Sequence, residues 1–305
     1  MGAVVFLTGS DSIIKWLSPR YALHEIMLFR ACFAMVVVLC IVKLEGGLVS
    51  LKTRRPFLHL FRGFLLVFAN VFFFLGLATM PMAETVALFF VAPLFICLLA
   101  KPFLGETVGA PRWAAIIIGL CGVLIMLRPG TELFKLSSLL PIMAALIYAV
   151  MQMITRKLGM HDTAGTLTFY IQIAFILVSS AMGLTVGDGS FNNHSNDTME
   201  FLLRAWTWPV AVDLALLALC GLIVAFGGYL MSQAYRIAQA SVVAPFEYTS
   251  LPFALLIGYI LWGDRPDLVS ISGSILIILS GLLIVYFENR FIAKHSESMR
   301  IARQP

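Results

Sequence analysis

Residues 244–252 read Ala-Pro-Phe-Glu-Tyr-Thr-Ser-Leu-Pro, so one carboxylic acid, Glu247, stands between two prolines inside an apolar run. The prolines remove backbone donors and loosen a helix around the acid, as expected where a helix lines a cavity. A carboxyl group so placed can contact a substrate or carry a proton. It can equally be a structural carboxylate paired with an arginine or with freed backbone N–H groups, and only its partner separates these readings. Tyr148 and Gln152 share a helix face at four-residue spacing, as do Tyr229 and Gln233. Asn70 lies among the phenylalanines of 68–74, Phe74 included, and Tyr248 follows Glu247 directly. Rings of this kind can stack on the flat or apolar part of an organic solute while amides fix its polar edge. The expected substrate contacts are therefore Asn70, Phe74, Tyr148, Gln152, Tyr229, Gln233, Glu247 and Tyr248, with Glu247 also the group for proton coupling.

The other charges in apolar surroundings read as structural. Asp11 and Lys15 are four apart on one face and can neutralise each other. Arg30 and Arg62 can reach an interface with their long stems or pair with Glu25 and Glu84. Glu106 and Asp264 look like caps or loop anchors near helix ends. Catalysis needs a nucleophile beside a base, or a metal cluster. His24, His59, His161, His194 and His295 sit at loops or span ends, and Cys32, Cys40, Cys97, Cys121 and Cys220 fall in apolar spans without metal-ligand spacing. No catalytic residue, metal or cofactor is expected, and the cysteines read as packing residues.

These side chains must be positioned by elements that live in a bilayer. Of the 305 residues, 60% are hydrophobic and 12% charged, with a mean hydropathy of +0.95. Soluble domains carry about 25% charged residues, so the chain is an integral membrane protein. Apolar runs predict spans at 2–17, 23–42, 57–79, 83–101, 112–128, 136–156, 163–186, 209–235, 238–262 and 268–287. They are helices, because each run is long and continuous where barrel strands would alternate apolar with polar. The first span begins almost at Met1, contains Asp11 and lacks a basic leader, so an upstream start or a short first helix is expected; a signal peptide would need a positive n-region that Met1 to Val5 lacks.

The spans form a duplicated unit. Pro93, Gly105-Glu106 and Gly122 recur in order as Pro252, Gly263-Asp264 and Gly281. Ala78 and Ala83 to Thr85 match Ala234 and Gln239 to Ser241, with a two-residue insertion between. A unit of five crossings starts its second copy from the opposite face of the bilayer, which gives inverted repeats around a shared site. The fold class predicted is all-α, with ten transmembrane helices in two inverted five-helix repeats, residues 1–130 and 135–290, followed by a cytoplasmic basic tail at 291–305. With both termini in the cytoplasm, thirteen lysines and arginines fall in the inner set and six in the outer, the bias that membrane insertion favours. The net charge of +5 is thus topology rather than a nucleic-acid footprint, since no soluble nucleic-acid module accompanies it. The longest outer loop, 187–208, holds two acceptor-like tripeptides at Asn193 and Asn196, a pattern that polar loops also produce by chance. Ala115-xxx-Gly119 and Ala145-xxx-Ala149 supply small faces for close helix contact.

The order Asp11-Ser12-Ile13-Ile14-Lys15-Trp16-Leu17, Leu28-Phe29-Arg30, Leu60-Phe61-Arg62-Gly63, Gly105-Glu106, and Ala234-Tyr235-Arg236 through Ala244-Pro245-Phe246-Glu247-Tyr248-Thr249 resembles the drug/metabolite transporter superfamily, specifically its ten-helix EamA type, over nearly the whole chain. In look it is most similar to bacterial uptake members for riboflavin and S-adenosylmethionine. The resemblance implies two EamA repeats, a central cavity and alternating access in the inner membrane, with a small organic solute as partner in a monomer or homodimer. Pro93 and Pro252 are then places where the fourth and ninth spans bend. Three alternatives stay open: an exporter of amino acids or drugs of the same fold, a channel, and an intramembrane structural protein. A channel would need a carbonyl-lined filter or a ring of like charges, and neither run is present.

Overall fold

A computed structural model describes residues 2–105, 110–127, 136–191, 197–263 and 267–301. Among these residues the only regular structure is helical: α1 (Gly2–Leu17), α2 (Leu23–Glu45), α3 (Pro56–Thr79), α4 (Met82–Phe89), α5 (Ala92–Leu104), α6 (Ala110–Leu127), α7 (Leu139–Leu158), α8 (Ala164–Val186), α9 (Asp197–Leu203), α10 (Ala211–Ile237), α11 (Ala240–Val243), α12 (Ser250–Trp262) and α13 (Leu268–Ile301). Six stretches are long and apolar enough to cross a membrane: α2, α3, the α4–α5 run, α7 with its preceding turn, α8 and α10. The expected caps Glu106 and Asp264 and the tripeptides at Asn193 and Asn196 lie outside the described residues. Residues 291–301, expected as a tail, continue the helix of α13.

Local sequence explains where the helices stop and bend. Pro56 opens α3, where its missing N–H costs nothing, and Thr163 accepts the Thr166 N–H at the start of α8. The α4–α5 run breaks at Phe90 and Val91, just ahead of Pro93 in the first turn of α5. Phe90 N–H still reaches the Val86 and Ala87 carbonyls, so this is a bend and not an end. The run from Ala240 to Trp262 is interrupted in the same way, by 3-10 turns over Ala244–Thr249 before α12 resumes. Gly105 and Gly263 close α5 and α12 with φ of 73° and 68°, a conformation glycine adopts without Cβ clash. At the far side of the α7–α8 turn, Arg156 Nη1 donates at 2.7 Å to the Arg236 carbonyl and so satisfies a free group in the last turn of α10.

Packing pairs α2 with α8 and α6 with α13; α3 lies on α7 and α8, while α10 lies on α1 and α2. Likewise α5 packs on α7, and α12 on α1. Two of these contacts depend on a missing side chain. A Cβ at Gly63 would stand 2.6 Å from the Cβ of Ala174, and one at Gly221 would stand 2.7 Å from the Arg30 carbonyl oxygen. Val36, Leu124, Leu222, Tyr259, Ile260 and Leu282 are exposed on the outside, whereas Arg30, Arg62, Gln152, Gln172 and Glu247 are buried. An apolar exterior around polar groups suits lipid, where exposed methyl groups cost nothing and polar groups need internal partners.

Candidate functional site

The buried polar groups converge on one cavity of about 190 Å³ between the first and second halves of the chain. Asp11 enters from α1, Arg30 from α2, Arg62, Asn70 and Phe73 from α3, and Phe89 from α4; Tyr148 and Gln152 enter from α7, Gln172 from α8 and Glu247 from the turn ahead of α12. Phe73 and Phe89 meet edge to face with ring centroids 5.1 Å apart, and Phe89 lies 5.4 Å from the Tyr148 ring. These rings form a wall on which an apolar or planar group can rest.

Glu247 is the fixed point of this site. Its Oε1 accepts the Tyr235 hydroxyl at 2.6 Å and the Tyr148 hydroxyl at 3.1 Å, and Gln152 Nε2 donates to the Tyr148 oxygen at 2.5 Å. The partners are phenols and not an arginine, so its hydrogen bonds bring the acid no counter-charge. Asn70 donates its amide to the Leu66 carbonyl of its own helix at 2.9 Å, which leaves the side-chain oxygen for the cavity.

The structure thus brings together Asn70, Tyr148, Gln152 and Glu247 of the expected contacts and separates the others. Phe74 is buried behind the lining with the Arg30 guanidinium 5.9 Å from its ring. Tyr229 turns away and donates to Glu45 at 2.8 Å, and Gln233 accepts from Arg236 at 3.2 Å. Both pairs on α7 and α10 have the same local spacing; the neighbouring helices decide which faces inward. The side chain of Tyr248 lies outside what the structure describes.

Four charges read as structural find partners other than the expected ones, and Asp11 and Arg30 line the cavity. Lys15 directs its ammonium to the Met80 carbonyl at 3.1 Å and lies 5.0 Å over the Trp262 ring, while Asp11 lines the cavity in the field of Arg30. Arg30 does not reach Glu25, whose carboxylate accepts the Thr207 N–H at 3.3 Å; it lies over the rings of Phe175 and Phe74. Arg62 does not pair with Glu84 but donates to Thr155 Oγ1 at 2.9 Å and to the Leu167 carbonyl. The signal for these residues was present in the sequence, since an ionisable group at membrane depth reads as functional until a partner is found.

Polar clusters tie helices together near their ends. Where α1 finishes, Tyr21 donates to Asp213 at 2.8 Å, Arg20 pairs with the same carboxylate at 3.3 Å, and Arg204 donates to the Ser18 carbonyl at 3.1 Å. At the opposite end His59 meets Asp162 at 2.9 Å, and Glu45 takes the Gly165 N–H at 2.9 Å beside its bond to Tyr229.

An apolar-surfaced helical bundle whose cavity gathers aromatic rings and a few buried polar side chains fits the architecture of a solute carrier. The chain belongs to the EamA-like transporter family, whose sequence profile matches residues 1–128 and again 135–286. It is 29% identical over 289 residues to the S-adenosylmethionine uptake transporter of Rickettsia prowazekii, covering 95% of this chain and 92% of that one. It is likewise 29% identical over 299 residues to the riboflavin transporter of Vibrio cholerae, covering 95% and 94%. A solved crystal structure 18% identical superposes with a TM-score of 0.66 over 95% of this chain and 96% of that one, a likeness of fold. The protein is a multi-pass membrane protein and a transporter of small metabolites.

Proposed function

We propose that the protein is a secondary transporter of the inner membrane that carries an organic metabolite by alternating access, built as ten transmembrane helices in two inverted repeats, residues 1–130 and 135–290. One observation carries this reading: the cavity takes polar side chains from both halves, Asp11, Arg30 and Asn70 from one and Tyr148, Gln152 and Glu247 from the other. The packing supports the repeats. Counting the α4–α5 run as the fourth crossing and the α11–α12 run as the ninth, the contacts of α3 with α7 and α8 exchange with those of α10 with α1 and α2. Gly63 and Gly221, Met80 and Ala238, and Gly105 and Gly263 stand at one constant offset. The members of each pair share a role, as close helix contact, extended residue after a helix, and left-handed cap respectively. That constant offset aligns Pro81 with Gln239, so the approach to the bend is matched without an insertion.

With both termini cytoplasmic, the Tyr21–Asp213 cluster closes the outer side and the His59–Asp162 cluster the inner. Rocking one repeat against the other would open these in turn. The names of the relatives point to a vitamin or cofactor, riboflavin or S-adenosylmethionine, as the solute. Glu247 would couple the cycle to a proton. Counterflow in proteoliposomes tests the carrier reading: solute trapped inside should accelerate uptake of labelled solute, and flux that equilibrates without such acceleration would indicate a channel.

A further inference from the structure

We propose, building on the carrier reading above, that the Arg30–Asp11 pole of the cavity seats an amino-acid head group, so that the solute is a zwitterion with adjacent carboxylate and ammonium. Arg30 is only 3% exposed and lines the cavity, and it makes no hydrogen bond or ion pair among the described residues; its Nε has no partner at all. The Phe175 ring 4.9 Å away supplies a cation–π contact, which returns part of what the guanidinium lost on leaving water but fills none of its five donors. Arg62 has an unpartnered Nε too, but Thr155 and the Leu167 carbonyl already take its terminal nitrogens.

Asp11 is the complement. Its carboxylate accepts no hydrogen bond among the described residues, and it lies within the electrostatic reach of Arg30 without forming an ion pair with it. Two opposite charges that served only each other would be in contact. Both line the cavity without touching, and each lacks a counter-ion that an α-carboxylate and an α-ammonium on one carbon would supply together. The nearby hydroxyls do not compete, since Thr8 donates to the Val4 carbonyl at 3.0 Å and Ser10 is bonded to Cys220 Sγ at 3.2 Å. A simple anion would be repelled by Asp11 and a simple cation by Arg30. An uncharged flavin would leave both ions dry and unpaired. The Phe73 and Phe89 wall then receives the rest of the molecule.

The test uses the full chain in proteoliposomes, with counterflow of labelled S-adenosylmethionine competed by three probes: unlabelled S-adenosylmethionine, its decarboxylated analogue, and riboflavin. The expected result is that the decarboxylated analogue competes at least about 100-fold more weakly, because a site built to bond a group rejects the ligand that lacks it. Arg30→Gln should erase that preference and Arg30→Lys should keep part of it; if Arg30→Gln does not fold, the probe series on the native chain decides alone. Equal competition by the decarboxylated analogue, or counterflow of labelled riboflavin with none of labelled S-adenosylmethionine, would overturn the head-group site and leave the carrier intact. Absence of accelerated exchange with every probe would strike the carrier reading itself, and the head-group site with it.

Discussion

Tyr235 and Glu247 are joined by a 2.6 Å hydrogen bond in which the phenol donates to Oε1, and Tyr148 donates to the same oxygen at 3.1 Å. Both donors fall on one oxygen, so Oε2 has no protein partner among the described residues. The acid is therefore oriented by its neighbours while half of it stays available, which is what a group that contacts solute or exchanges a proton needs.

Glu247→Gln keeps the shape and still accepts from both tyrosines through its amide oxygen. The variant should fold, lose about tenfold or more in transport rate, equivalent to ~1.4 kcal/mol, and show a flat pH profile of uptake. Uptake rates from pH 5 to 8 check this, and an unchanged profile rules out proton coupling at this position.

The two tyrosines should separate by role. Tyr235 is fully buried and outside the cavity lining, so Tyr235→Phe should cost about 1.5–3 kcal/mol of stability through the lost bond to a charged group. Tyr148 lines the cavity, and Tyr148→Phe should weaken solute affinity more than it lowers the thermal midpoint. Thermal unfolding and transport KM, measured on both variants, distinguish them.

Close helix approach predicts an overpacking cost at two glycines and none at a third. Gly63→Ala would meet the Ala174 Cβ, and Gly221→Ala a backbone carbonyl, so each should destabilise by about 1–3 kcal/mol. A Cβ at Gly9 in α1 meets nothing within 4 Å, and Gly9→Ala should be neutral or slightly stabilising. Detergent-solution melting temperatures give the comparison directly.

The Tyr21–Asp213 contact carries a pH signature. Burial first, and then the hydrogen bond to the Asp213 carboxylate, hold the Tyr21 phenol above its ordinary 10.0. The folded state thus favours the neutral phenol, so its contribution is complete below pH 10 and is lost as pH rises past the elevated value. Tyr21→Phe should flatten the alkaline fall in stability; a fall of the same steepness would show that another group controls it.

Continuous apolar runs made most of the helices legible to within a few residues, because length and lack of alternation exclude strands; α13 instead runs past 287 to Ile301, and α9 lies where a loop was expected. The Pro93 bend was legible because proline imposes its own backbone geometry; the helix ends at Gly105 and Gly263 were legible too, but the expected caps were Glu106 and Asp264 and not left-handed glycines. The site was legible only where it is local. Tyr148 and Gln152 share a face and a hydrogen bond, and that could be read from spacing, but Tyr229 and Gln233 have identical spacing and point elsewhere. Arg30 and Arg62 could not be told apart, since their distinction lies in Phe175, Thr155 and the Leu167 carbonyl on other helices. For Asp11, the nearby Lys15 offered a local partner that the fold gives to Met80.

Reporter fusions at Gly105 and Gly263 test the proposed antiparallel arrangement most directly, because under that proposal these two left-handed glycines close equivalent helices in the two halves. The account predicts that Gly105 reports from the cytoplasm and Gly263 from the outside. Both positions reporting from one compartment would contradict it, for two repeats inserted in the same sense could not enclose the Arg30–Glu247 cavity from opposite directions.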